Sequence, residues 1–96
     1  MKVRWTSNGV RLRLDDLEVG ELWSGRTLEA RLEWPGGGWS VTLDPGSDGV
    51  QGEAGRLKVG LRRELPQLLD PRQEGVTVGG VVEARVEKDY RPEHLG

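Results

Sequence analysis

Cysteine is absent from the 96 residues, and so is phenylalanine. Without thiols there can be no disulfide, no thiolate nucleophile, no iron–sulfur cluster and no cysteine-ligated zinc. Without Phe, four Trp and one Tyr supply all the aromatic volume. Histidine occurs once, at His94, and no nucleophile and orienting partner accompany it at a relay-like spacing. No apolar run approaches the ~20 residues that span a bilayer. The opening MKVRWTSNGV lacks the apolar region of a secretory signal. The expectation is a cytoplasmic protein with no membrane partner. Phosphate-cradling loops are missing too, because the glycine runs precede strands and no Walker Lys follows them.

Two further patterns fail on inspection. Asp44 and Asp48 precede Gly49 in DPGSDG, but an EF-hand needs an oxygen ligand at position 3 and Glu at position 12. Here those positions are Gly46 and Gly55, so the segment reads as turns. The charged strand VEARVEKDY places Val82, Ala84 and Val86 on its inward phase, which excludes a tunnel lined by its charges. Sixteen acidic residues give no reason to select a pair for acid–base work. No catalytic residue, metal or cofactor is expected.

What is present suits one small globular domain spanning residues 1–96. Hydrophobic residues make up 34% and charged residues 31%, which argues against disorder. Arg outnumbers Lys eleven to three, a bias compatible with a thermophile or a GC-rich genome. Net charge is −2, against a general nucleic-acid binder. The charge is uneven. Residues 1–14 hold Lys2, Arg4, Arg11 and Arg13 and no acid, hence +4; the remainder holds ten basic and sixteen acidic side chains, hence −6.

Period-2 alternation makes KVRWTSNGVRLRL a hairpin with all four cations on one face. Asp15 and Glu18 form a capping-box pattern ahead of Leu17, Val19, Leu22 and Trp23, and Gly25 stops that helix. TLEARLEW and WSVTL are strands joined by Pro35-Gly36-Gly37-Gly38. A Gly-rich connection follows, with extended pairing around Val50–Ala54, and then the strand RLKVGL. Pro66 fits only the first turn of a helix starting near Arg63 and ending at Pro71. Val76 and Val78 lie in a short strand, Gly79-Gly80 bends it, and VVEARVEKDY is the last strand. The tail 91–96 is expected to fray.

LEARLEW (28–34) and VEARVEK (82–88) repeat nearly the same letters. RLRL and RLKV precede them, each followed by a short helix. The expected fold is therefore mainly β: a small closed or partly open barrel of two strand–helix–strand pseudo-repeats, about 1–44 and 50–90, with two short helices. The heptad is taken as the same structural strand in each half, with PRQEGVTV an insertion. The expected core is Val3, Trp5, Leu12, Leu14, Leu22, Leu28, Ala30, Leu32, Val41, Leu43, Leu57, Val59, Leu65, Leu68, Val82, Ala84 and Val86. Trp34 and Trp39 are placed inward as well, rather than as a stacking platform.

Ser7-Asn8-Gly9, Val10–Leu14, Asp15–Trp23 and Leu28–Trp34 carry a resemblance to the swapped-hairpin domain of the AbrB/MazE regulators. That family uses Pro where this chain has Asp15-Asp16, and builds its barrel from two chains. The resemblance implies DNA binding, with Arg4, Arg11 and Arg13 on phosphates or bases. Met1–Arg4, Asn8–Leu14 and Val86–Tyr90 also resemble a family of small bacterial domains of unknown function, from which no activity transfers.

Lys2, Arg4, Arg11 and Arg13 are the candidate binding residues. Their alternative role is pairing with Glu29, Glu33, Glu83 and Glu87 across strands. The favoured expectation is a non-enzymatic binding or adaptor module contacting a protein partner or itself, through the hairpin's charged face or a groove between the halves. The alternative is a DNA-binding regulator of the AbrB type. A hydrolase acting on a phosphorylated small molecule is the third.

Overall fold

The computed structural model describes residues 1–89. Within them the chain forms β1 (Lys2–Trp5), β2 (Gly9–Leu14), α1 (Asp16–Trp23), β3 (Leu28–Trp34), β4 (Gly37–Asp44), β5 (Asp48–Glu53), β6 (Arg56–Leu61), α2 (Leu65–Leu69), β7 (Gly75–Val78) and β8 (Glu83–Lys88). The architecture is mainly β, with two four-stranded sheets and two short helices. Sheet A has the order β1-β2-β8-β7, and sheet B the order β3-β4-β6-β5. Neither sheet closes on itself. The expected tail and His94 lie outside the described residues.

Each helix starts and stops where local chemistry dictates. The Asp15 carboxylate accepts from Glu18 N–H at 2.8 Å, and the Glu18 carboxylate accepts from Asp15 N–H at 3.1 Å. This reciprocal box satisfies two otherwise unpaired donors. Gly25 ends the segment at φ 92°, a backbone region that favours glycine. In α2, Pro66 sits in the first turn, where its missing N–H costs nothing.

The two sheets are topological copies. The chain runs hairpin–helix–hairpin twice, and each sheet takes one hairpin from each half. In sheet A, Leu12 lies between Val3 and Val86. In sheet B, Val59 lies between Val50 and Leu43. Val76 faces Val86 as Leu28 faces Leu43. Val19 and Leu22 are buried from α1, and Leu65 and Leu68 from α2. In both sheets the two central strands, β2 with β8 and β4 with β6, run parallel.

This arrangement revises the heptad equivalence. LEARLEW forms β3, an edge strand; VEARVEK contributes β8, an inner strand. By position, β3 matches β7 and β4 matches β8. The shared letters encode the same amphipathic alternation at two different places. The supposed insertion PRQEGVTV ends in the whole of β7.

The core also differs from expectation. Leu12, Leu14, Leu22, Leu28, Val41, Leu43, Val59, Leu65, Leu68, Ala84 and Val86 are buried as expected. Val10, Val19, Val50, Leu61, Val76 and Val78 join them. Val3, Leu57 and Val82 are only half-buried against the core, and Ala30 is half-buried. Trp5 and Leu32 are 57% and 52% exposed. Trp34 is exposed, Trp39 half-buried, and Leu17 and Trp23 of α1 point to solvent. Period 2 selected the right face of each strand, but the opposing sheet does not cover that face at one end.

Candidate functional site

Two surfaces follow from this geometry, and both include β1. The first is the outer face of sheet A. Its strand registers place Lys2, Arg13 and Glu87 in one row. Arg4, Arg11 and Arg85 form the next row, ending at Thr77. Three arginines thus line up across three adjacent strands. Arg11 pairs with Glu87 at 2.7 Å, and Arg85 approaches the same carboxylate at 3.7 Å. Arg85 also donates to Thr77 Oγ1 at 3.4 Å. Lys2 pairs with Asp89 at 3.1 Å. Among the described residues, Arg4 and Arg13 have no acidic partner. Lys2, Arg4, Arg11 and Arg13 line a shallow depression of about 260 Å³.

The four predicted cations are therefore brought together, and Arg85 is added to them. The expected pairing with strand glutamates holds only for Glu87. Glu29 and Glu33 lie on sheet B and pair with Arg31. Glu83 makes no ion pair among the described residues. Arg85 could have been found from its inward neighbours Ala84 and Val86, which force it outward. What hid it was the unknown place of β8 beside β2.

The outer face of sheet B is different. It holds Glu29, Glu33, Asp44 and Glu53 with Arg31, Arg56 and Lys58. Arg31 bridges Glu29 and Glu33, and Lys58 pairs with Asp44 at 3.3 Å. Asp44 is held below the usual carboxylate range, chiefly by the Gly46 N–H it accepts and also by Lys58. A groove of about 580 Å³ crosses this face, but its charges largely neutralise one another.

The second surface is a seam. Each sheet has two edge strands. At one, Val50 of β5 donates to Gly79 C=O and accepts from Val81 N–H, both at 3.0 Å, forming a parallel bridge to Gly80. A Cβ at Gly80 would lie 2.1 Å from the Val50 carbonyl oxygen, so only glycine permits this approach. The other two edge strands are β1 and β3, and among the described residues no bridge joins them. There Val3, Ala30 and Leu57 are half-buried, whereas their counterparts Val50, Val78 and Val10 are buried. Counting on from the matched Ala30 and Val78, Leu32 stands where the second half has Gly80. Leu32 is opposite Trp39 in a ladder that continues to Trp34 and Gly37, so this hairpin stays extended and does not fold back onto β1.

The open seam leaves apolar surface in water. Trp5 touches Trp39 edge to face, and beside them Ala54 and Leu57 line a groove of about 280 Å³. No group of three or more His, Asp or Glu among the described residues could hold a metal ion. No helix there is long and apolar enough to cross a membrane. No family model matches the chain, no curated protein matches it, and no solved structure matches its fold.

Proposed function

We propose that the chain is a small non-enzymatic binding module that engages an acidic protein segment through the outer face of sheet A. The row Arg4, Arg11 and Arg85 carries this proposal. Like charges directly opposite one another on a sheet oppose folding. Nothing in the core requires arginine at these outward positions. An anionic partner offsets the repulsion and finds the planar donor forks that suit carboxylates. We read the two sheets as the halves of a partly open barrel, closed at Val50–Gly80 and open at β1–β3.

DNA binding of the AbrB type is the alternative, favoured by the same cations on an N-terminal hairpin. Against it, β2 is flanked by both β1 and β8, so no free two-stranded ribbon projects to enter a major groove. The test is fluorescence anisotropy with labelled hexaglutamate and a labelled mixed-sequence duplex, at low and moderate salt. Binding of hexaglutamate that weakens in Arg4→Ala and Arg13→Ala supports the module. Binding of the duplex alone, with a steep salt slope, makes the protein a DNA binder instead. Silence from both anions at low salt retires the basic face as a binding surface.

A further inference from the structure

The outer edge of β1 pairs with no further strand among the described residues. Thr6 N–H donates to Gly9 C=O at 2.9 Å, which makes that rung a hydrogen-bonded one. Bonded and non-bonded rungs alternate in an antiparallel pair. The Arg4–Arg11 rung is therefore bonded, and the Val3–Leu12 and Trp5–Val10 rungs are not. The backbone N–H and C=O of Val3 and Trp5 consequently point away from β2, along the open seam. Among the described residues neither makes a backbone hydrogen bond outside its own sheet.

The closed seam shows what such an edge takes up. Val50 holds the place in sheet B that Val3 holds in sheet A, since each is opposite the central residue of its sheet, Val59 or Leu12. Val50 receives the extended segment Gly79–Val81 in parallel. Among the described residues no equivalent segment stands beside Val3, because Leu32 keeps the β3–β4 hairpin in its own ladder.

We infer that the open seam binds an extended segment of a partner protein as an added strand, parallel to β1, whose residues alternate between apolar and acidic. Alternation follows from the pleat. Every second side chain enters the groove over Trp5, Trp39 and Leu57. The others emerge on the outer face of sheet A beside Lys2 and Arg4. Main-chain bonds supply affinity and the two faces supply selectivity, as in other strand-addition complexes. The acidic half of this specification rests on the function proposed above; the strand addition and the apolar half stand on the seam alone.

The test is an NMR titration of the 15N-labelled full chain with acetyl-Val-Glu-Val-Glu-Val-amide up to about 1 mM, a range that captures weak binding. Saturable shifts are expected at the Val3 and Trp5 amides and the Trp39 indole. Leu32→Gln and Val3→Pro should each weaken binding about tenfold. Proline at an outward-facing edge N–H removes no ladder bond. Should Val3→Pro fail to fold, methylating the peptide's central amide tests the same bond on unaltered protein. No shift at about 1 mM overturns the inference. Shifts confined to Arg11, Arg13 and Arg85, and indifferent to Leu32→Gln, overturn it while leaving the basic face standing. Binding of a Val-Gln-Val-Gln-Val peptide as tight as the glutamate peptide keeps the strand addition and removes its acidic half. A concentration-dependent dimer by sedimentation, abolished by Leu32→Gln, makes the occupant a second copy and overturns the partner assignment.

Discussion

The indole of Trp5 meets that of Trp39 edge to face, with centroids 5.1 Å apart and planes at 69°. This contact links the free edge strand of sheet A to an inner strand of sheet B at the open seam. Aromatic pairs in this geometry contribute about 0.5–1.5 kcal/mol beyond their area. A double-mutant cycle of Trp5→Ala and Trp39→Ala, followed by urea unfolding, should give a coupling in that range. Trp39→Ala should be the more costly single change, because Trp39 also packs against the core.

Arg4→Glu should separate stability from binding. Arg4 is opposite Arg11 and is exposed on an edge strand. Replacing a like-charge rung by an opposite-charge one should raise stability by about 0.2–1 kcal/mol. The same change should weaken hexaglutamate binding. A loss of both stability and binding would count against a functional origin for the arginine row.

Gly80→Ala should open the second seam. The added methyl meets the Val50 carbonyl, so either the bridge or the turn must give way, at a cost of about 1–3 kcal/mol. Hydrogen exchange at the Val50 amide should accelerate well beyond the change in global stability. Unaltered exchange there would mean that the bridge does not hold the seam.

Asp44 should register in the acid limb of stability. Its carboxyl is held below the ordinary value by Gly46 N–H and Lys58. A depressed folded-state pKa stabilises above the unfolded value, near 3.9 for Asp, and that contribution disappears as pH falls through the folded value. Asp44→Asn should therefore destabilise at pH 7 and become progressively less costly below about pH 4. Urea unfolding at a series of pH values measures the crossover.

Much of this fold was legible in local signals. Asp15 and Glu18 marked a helix start, Pro66 a first turn, and the alternation of RLKVGL predicted β6 at its observed bounds. The four hairpin cations shared a face because period 2 leaves no alternative. Long-range facts were not legible. Nothing local in LEARLEW says that it is an edge strand, or that Leu32 and Trp34 extend beyond the sheet opposite. Nothing local in EARVEK says that it lies beside β2 and adds Arg85 to the row. Gly80 looked like an ordinary bend; its role emerges only with Val50 beside it.

The parallel pairing of β2 with β8 has a consequence for synthesis. The inner partner of residues 9–14 is residues 83–88, so sheet A cannot be completed until nearly the whole described chain has been translated. At ordinary elongation rates the N-terminal hairpin waits roughly 4–15 s for it. Throughout that interval Val10 and Leu12 lack the Ala84 and Val86 that later pair beside them. Substitutions in β8 should therefore act first on how much nascent protein reaches the native state, and only then on how long that state lasts.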